Sequence, residues 1–595
     1  MIAAAPHLGP DGVRVWASGP AGLVHFQLVT TPEAVGEIQP LQDSDAGLVL
    51  VFDGRIDNRE ALRDGLPEPE RPAADAPDSA FVLAAFAAWG ERCPEKLVGE
   101  YAFVVWQTRA RRLFCARSLK GFKPLVWCSD GRTFCFASEV PQLFAGGGMA
   151  RRINAGYVGE VLASFVVSVT ETLWEGIYSL PSGSAMTLEN GQRREWRWHS
   201  GPFPEIRYKD ERDYDAHFRM LFDQALRACL RSGGPVAADL SGGLDSSSVV
   251  CRTAELYRNG EAPCRVQPVS MVFPGEPQDE TEWINLVAAH TCWEPMRIQP
   301  PPYEWDFWRS WSAQSLDLPL RPNAATRKAS LENLCTTGCH VSLSGEGGDD
   351  WFRGAFTHWP DLLRGGRWAQ LWQEVHHSEA EVLSPYRTLR RIARLGMWPL
   401  VNARYQERIR YRRPIRKPEI PSWIAPDWAR SIGLADRIGA LPEEVPLSGL
   451  GQRILYEHNL LYAFPLNRGI MRLHAQHAVE WRHPFHDQRL IEFALSVPGN
   501  QMRSRGQKKR LLRRALQGTL PEPIRLRLSK AEFSAPIHAA ATAAVDTSTL
   551  AQLREMGWVK VETLFPQGAL ASEGLLLGAC WNALAVNTWL QACVL

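Results

Sequence analysis

Nothing in this sequence approaches the roughly 20 consecutive apolar residues that span a bilayer. Neither sign of charge prevails either: 66 Lys and Arg face 65 Asp and Glu, a formal net charge of +1. The first lack predicts a soluble chain with no place in a membrane. The second removes any global field that would gather nucleic acid or an anionic lipid surface, and leaves only local patches. Paired metal-ligand cysteines are missing as well. Of the twelve cysteines, only Cys335-x3-Cys339-His340 comes near ligand spacing, and without a second ligand pair no structural zinc is expected. The opening MIAAAPHLGP lacks the basic start and apolar run of a secretory signal. With cysteines scattered along the chain, a reducing cytoplasm is the expected compartment. Internal repeats are absent, and so is the GxxxxGKS/T loop, which disfavours motor-like or kinase-like γ-phosphate chemistry.

What is present has globular composition: 595 residues, 45% hydrophobic and 22% charged. That is longer than a single core usually grows, so two or more domains are expected. Up to about residue 200 the pattern is strand-rich, with short β-prone runs such as GLVLVFDGRID and TFCFASEV broken by Gly, Asp and Asn. Asp78 to Trp89, DSAFVLAAFAAW, predicts a buried helix, and the region reads as α+β. The segment HSGPFPEIRYKDERD, from His199, reads as a linker, so the domains are placed at 1–204 and 205–595. Beyond it a helix over Tyr214 to Leu230 precedes the strand PVAAD. Further strands, CRVQPVSMVF and CHVSL, then alternate with helix-prone runs. Such alternation predicts an α/β domain with a parallel sheet and its site at the strands' carboxyl ends.

The strand at PVAAD runs into Leu240-Ser-Gly-Gly-Leu-Asp-Ser-Ser-Ser248. A strand that turns through two glycines into a helix aims free backbone N–H groups and the positive helix end at one point, which suits an anion. The glycines let the backbone approach, the serines add donors, and Asp245 is placed to hold a cation bridging phosphates. An ordinary serine-capped turn would explain one Gly and one Ser, but not an Asp inside the cradle.

Four elements in order carry a resemblance. SGGLDSS resembles the pyrophosphate-binding loop of the ATP pyrophosphatases. Ser344-Gly-Glu-Gly-Gly-Asp-Asp350 is similar to the SGEGxDE element of asparagine synthetases, and VEWRHPFHD, from Val479, to their LEARVPFLD. KRLLRRALQGTLPEPIRLRLSKAEF, from Lys509, is similar to their KxxLRxA and LPxxIxxRxKxxF. The likeness covers most of residues 210 to 535. In the first half, FDGRIDNREALR, GEYAFVVWQTRARRLFCARSLKGFKPLVW and FASEVPQLF resemble the same family's glutaminase half. The resemblance implies an N-terminal domain of layered antiparallel sheets, of the N-terminal-nucleophile glutaminase kind. It implies a C-terminal domain like the ATP pyrophosphatases and adenine nucleotide alpha hydrolases. One departure matters: such glutaminases use as nucleophile a cysteine after Met1, with its own α-amine as base, and this chain has Ile2. The nearest cysteine, Cys93, lies far inside the domain, so the glutaminase half is expected to be degenerate.

For the C-terminal half the resemblance implies ATP and Mg²⁺. Leu240, Ser241, Gly242, Gly243, Asp245, Ser246, Ser247, Met271, Ser344, Gly345 and Glu346 would hold the nucleotide, and Asp245 and Asp349 the metal. The bland reading of Asp349 is a helix N-cap. Lys509 and Lys530 would neutralise the leaving pyrophosphate or a developing oxyanion, although Lys508 and Arg510 beside Lys509 also fit a solvated basic helix face. Glu480 would serve as general base or ammonium orienter, its bland reading being an ion pair with Arg482 or Arg472. A tyrosine partner for it, Tyr456 or Tyr462, is not securely aligned.

An adenylating half joined to a dead glutaminase half resembles the β-lactam synthetases and the lasso peptide cyclases. The extra segments of the second half and the 23 tryptophans, most of them expected in cores, favour a peptide substrate. The expectation is a lasso peptide cyclase, an AMP-forming ligase that joins an Asp or Glu side chain of a ribosomal precursor peptide to its N-terminal amine. A leader-peptide-binding protein and a leader peptidase would be its partners, and no nucleic acid is expected. The alternatives are an ammonia-dependent asparagine synthetase, a β-lactam synthetase-like ligase, or a scaffold that has lost catalysis. The basic run between Arg387 and Lys417, nearly free of acids, fits an acidic peptide segment, RNA or a plain surface helix.

Overall fold

The computed structural model describes residues 1–146, 148–199, 201, 203–354, 358–377, 385–401, 419–439, 467–504, 506–529, 539–540, 542, 550–565 and 575–593. Lys530, Tyr456, Tyr462 and the stretch 402–417 of the basic run lie outside them. Among the described residues no helix is long and apolar enough to cross a membrane.

The N-terminal half is a stack of four layers whose order follows from period-two burial. A six-stranded antiparallel sheet runs in the spatial order Gln192–Arg197, Ser184–Glu189, Arg112–Arg117, Gly99–Gln107, Leu48–Ile56 and Leu41–Asp43. Along its central strands one set of alternate residues, Leu50, Phe52, Phe103 and Val105, packs under the helix Asp78–Trp89 through Phe81 and Phe86. The intervening set, Val49, Val51, Ala102 and Val104, meets Leu125, Trp127 and Leu180 across a second interface. Trp127 belongs to a three-stranded antiparallel sheet, ordered Phe134–Ala137, Val126–Ser129, Ile177–Ser179. The far face of that sheet, Val126, Cys128 and Ile177, is covered by the helices Val140–Gly146 and Ala155–Leu162. Side chains that alternate across both faces of a strand require a cover on each side, and helix, sheet, sheet, helix supplies it.

The C-terminal half is built on a five-stranded parallel sheet in the order Met296–Ile298, Val266–Met271, Val236–Asp239, Val341–Leu343, Glu480–Arg482. Val236–Asp239 is central and nearly all apolar, as a strand covered on both faces must be. The helix Glu211–Cys229 buries one stripe, with Phe222 stacked on Phe485 at 4.7 Å and Phe218 edge-on to Phe352 at 5.1 Å.

The segment expected as a linker is held in place. Phe203 is buried, the Ile206 N–H donates to the Ser496 carbonyl (2.8 Å), and His199 pairs with Glu492 (3.0 Å). One apolar core runs from Phe103 and Phe114 through Tyr214 and Phe218 into the parallel sheet, so the chain changes sheets there without leaving the core. A second core joins the halves from behind. The C-terminal helix Leu575–Cys593, on which the sequence was uninformative, packs against the N-terminal half, with Trp589 edge-on to Trp174 at 5.1 Å. Both rings are buried, and the Trp174 indole N–H donates to the Leu316 carbonyl (2.7 Å). Most tryptophans are buried as expected, several are half-buried, and Trp368 and Trp372 are exposed, at 65% and 61%.

Trp589→Ala removes the ring that both halves clamp. It should destabilise the chain by about 3–5 kcal/mol, read as a lowered midpoint of the first transition in urea unfolding.

Candidate functional site

Two strands that neighbour each other in the parallel sheet end in glycine turns on the same side. Val236–Asp239 leads through residues 240–243 into the helix Leu244–Arg258, and Val341–Leu343 leads through 344–347 into the helix Gly348–Phe352. The turns touch backbone to backbone. A β-carbon on Gly345 would lie 2.6 Å from the Ser246 nitrogen, and one on Gly348 would lie 2.5 Å from the Asp245 carboxyl carbon. Against fixed backbone only glycine fits at 345, while a methyl at 348 would push the Asp245 side chain out of place. Within the first turn the Ser241 N–H donates to the Ser246 hydroxyl oxygen (3.1 Å) and the Gly243 N–H to the Ser241 hydroxyl oxygen (3.4 Å). The serines thus hold the loop open around the positive end of a fifteen-residue helix.

Above these turns lies a cavity of about 970 Å³, in the size range of small-molecule and cofactor sites. Leu240, Ser241, Gly243, Asp245 and Ser246 line it, with Met271 from the neighbouring strand. Ser344, Gly345, Glu346 and Asp349 come from the second turn, and Lys509 from the downstream motif. Two expected nucleotide contacts are not on its wall. Ser247 is fully buried inside the helix packing. Gly242, at φ +71, turns against Trp283, where a β-carbon would lie 2.5 Å from the Trp283 Cβ, so its glycine serves the turn. Asp349 is not the helix N-cap, which is Gly347; it sits in the first turn with its carboxylate toward Lys509.

The structure adds residues that sequence reasoning missed. Arg327 forks onto Asp239 (2.8 and 2.6 Å) at the strand's end. Arg527 pairs with Glu280 (2.8 Å), lies over the Trp283 ring and donates to the Gly242 carbonyl (3.3 Å), bracing the glycine turn. Arg527 falls in the downstream motif and was within reach of the sequence; Arg327 carried no local signal. With Arg353, Lys508 and Arg513 they line a cationic cavity suited to phosphates. Arg510, by contrast, turns away to Glu211 (2.8 Å).

Glu346 faces this cavity. Its side chain is 54% open to solvent at the cavity mouth, and the surrounding walls still lift its carboxyl to about 7, with Asp239 and Asp350 adding to the rise against the pull of Arg327 and Lys120. A carboxyl poised near neutrality both takes and returns a proton at ordinary pH. His483 stands 3.9 Å from it, held by the Ser344 hydroxyl at 2.7 Å.

Glu480, the expected general base, is elsewhere. It begins its strand opposite Val341, at the amino end of the sheet, while the glycine turns leave from the carboxyl end. Its carboxylate, 7% exposed, takes two hydrogen bonds from Arg482 (3.0 and 2.6 Å), one from the Thr30 hydroxyl (2.6 Å), and faces Arg55 at 3.5 Å. Burial pushes this carboxyl up, but Arg482, Lys123, Arg55 and the Thr30 hydroxyl outweigh it and hold it well below the usual carboxylate range. A carboxylate stabilised so strongly as an anion is a poor base. The ion pair with Arg482 is what the structure shows, and Arg472 pairs instead with Glu139.

The acids expected to hold Mg²⁺ meet at one cation. The Lys509 ammonium lies 2.5 Å from Asp245 and 2.8 Å from Asp349, so carboxylates from both turns converge where a positive charge already sits. Among the described residues no group of three or more His, Cys, Asp or Glu is placed to hold a metal. Two carboxylates with phosphate and water completing the shell is how Mg²⁺ is commonly held, and the donor set fits it. In the N-terminal half Ile2 is 41% exposed in a short 3₁₀ turn, and Cys93 is fully buried with its thiol pushed up by burial.

The chain is similar to known proteins over both halves. The asparagine synthase family model matches residues 217–590, and the glutamine amidotransferase domain model matches residues 1–199. Glutamine-hydrolysing asparagine synthetase 3 of Bacillus subtilis is 25% identical over 539 residues, 87% of this chain and 80% of the relative. Amidase chyE of Penicillium rubens is 25% identical over 383 residues, 60% of this chain, which spans about half (54%) of that relative. Amidase chry2 of Gibberella zeae is 24% identical over 635 residues, 96% of this chain and 91% of the relative.

Gly345→Ala would drive a methyl into the Ser246 amide, and should weaken nucleotide binding at least about tenfold by titration calorimetry. Glu480→Gln should act on stability. Loss of the anion leaves the Arg482 charge buried and uncompensated, at about 3–5 kcal/mol. Because the folded carboxyl is depressed, the wild-type stabilisation is lost as pH falls through the carboxylate range, and the variant should show a flatter acid limb in unfolding.

Proposed function

The chain belongs to the asparagine synthase family and is an ATP-dependent ligase; from that premise we propose that it is an AMP-forming lasso peptide cyclase. In this reading a side-chain Asp or Glu carboxylate of a ribosomal precursor peptide attacks the α-phosphorus of ATP, and pyrophosphate leaves with the electron pair of the broken P–O bond. The peptide's own N-terminal amine then attacks the acyl-adenylate, AMP departs, and an isopeptide macrolactam remains. The observation that carries this reading is Ile2. The amidotransferase match includes it, and its hydrocarbon side chain cannot supply the thiol that releases ammonia from glutamine. The ATP-binding half keeps its charged residues, so the activated carboxylate must meet an amine from another source.

The residues act as follows. The helix end at Leu244 and the cations Lys508, Lys509 and Arg513 face phosphate charge as it builds in the first step. Mg²⁺, when bound, supplies charge neutralisation on the phosphates, with Asp245 and Asp349 as its protein ligands. Glu346 takes the proton of the attacking ammonium in this reading, because Glu480 is held as an anion by Arg482. A leader-peptide-binding protein and a leader peptidase would deliver the substrate with its amine free, and no nucleic acid enters the scheme.

The second reading, an ammonia-dependent asparagine synthetase or another amide ligase of the β-lactam synthetase kind, is favoured by the asparagine synthetase relative that spans 87% of this chain. One assay separates the readings: protein, ATP and Mg²⁺ with either peptides carrying a free amine and an internal acid, or aspartate with ammonia. AMP, pyrophosphate and a peptide lighter by one water support the cyclase; AMP that depends on aspartate and ammonia supports the synthetase. A short precursor gene beside a peptidase gene would favour the first.

Glu346→Gln should cut amide formation about 10²–10⁴-fold while pyrophosphate release persists. The wild-type amide-forming rate should rise with pH through about 7, as the carboxyl ionises, and the variant should lose that rise.

A further inference from the structure

Lys509 was expected to meet the leaving group, yet in the structure it is committed elsewhere. Its ammonium bridges Asp245 (2.5 Å) and Asp349 (2.8 Å), one acid from each glycine turn, and the residue is 8% exposed. Three features aim it there. Its backbone is left-handed, at φ 55° and ψ 37°, a conformation that a lysine adopts only when its surroundings impose it. Its N–H donates to the Arg353 carbonyl at 3.2 Å, beside the second turn. The helix it caps, Arg510–Ala515, is fastened from its other face by Arg510 to Glu211 and Arg514 to Asp215, both at 2.8 Å. The anchored helix leaves the four-carbon stem of Lys509 as the mobile part.

We propose that Lys509 is a resident counter-cation: it occupies the metal position between Asp245 and Asp349 and keeps a divalent ion out until nucleotide phosphates draw its ammonium away. The inference rests on the nucleotide reading of the cavity. Two carboxylates held a few ångströms apart repel, and the ammonium between them relieves that repulsion. A divalent ion arriving alone must displace the ammonium, or sit beside it and bear the repulsion of like charges. Phosphates arriving with the ion change the balance. They offer the ammonium acceptors across the same cavity, where Lys508 and Arg513 already line the wall, and the acids are released to the metal. Lys509 thereby positions the two ligands and orders the loading, metal with nucleotide and not before it.

Mn²⁺ serves as the probe, its free ion counted by electron paramagnetic resonance on the full chain. Without nucleotide, the wild type should retain little Mn²⁺. Lys509→Met should retain one ion at least about tenfold more tightly, and the second change Asp245→Asn should abolish that gain. Lys509→Arg, which keeps the cation, should behave as the wild type; circular dichroism and the unfolding midpoint identify any variant that fails to fold. Equal Mn²⁺ retention by the wild type and a folded Lys509→Met overturns the proposal, and so does tighter binding by Lys509→Arg. Adding ATP tests the premise separately. The wild type should then take up Mn²⁺. If it does not while Lys509→Met binds Mn²⁺ alone, the nucleotide reading fails and the counter-cation stands.

Discussion

The contact on which the site depends is the close approach of two strand-end turns, Gly345 against the Ser246 amide and Gly348 against the Asp245 carboxylate. Parallel pairing of Val236–Asp239 with Val341–Leu343 sets the turns side by side, and two missing side chains let them touch. From that contact follow the convergence of Asp245 and Asp349, the mouth of the cavity, and the placing of Glu346 within it. The downstream helix adds Lys509 only because Glu211 and Asp215 hold its arginines on the outer face.

Where the amino end of the parallel sheet meets the N-terminal half, the join is ionic, set beside the two apolar cores that the halves share. Glu480, Arg482 and Arg55 are buried together, with Thr30 of the N-terminal half donating to the carboxylate. Such a cluster costs desolvation on every member, and it holds only because each partner answers another. It ties the N-terminal half to the amino end of the parallel sheet, opposite the glycine turns. An N-terminal half with Ile2 in place of a nucleophile thus remains part of the scaffold on which the ligase site is built. The Trp174–Trp589 contact does the same from behind.

Much of this was legible in the residues. The helix at Asp78–Trp89, the strand-rich first half and the parallel second half follow from periodicity and from strand–helix alternation, since burial on one or two faces writes itself into local pattern, while the antiparallel layering of the first half came only with the family resemblance. The SGGLDSS and SGEGGDD turns were legible because glycine and acid at strand ends have few other uses. What misled was register. In VEWRHPFHD the motif identified the strand, but not which end of it faces the cavity, and Glu480 lies two residues on the amino side of Arg482, in an ion pair. Ser247 misled for a similar reason: it is one helical position past Ser246, and that step turns it into the core.

The chain by itself determined the two sheet types, the family, the glycine turns, and the absence of a thiol at position 2, because each depends on residue identity or on short-range order. Only the tertiary structure decided that Glu346 and not Glu480 faces the cavity, that Arg327 and Arg527 brace it, and that Lys509 stands between the two acids. Those outcomes depend on distances between residues far apart in sequence. A carboxyl's proton affinity is set by the charges and the burial around it, and no local pattern carries either.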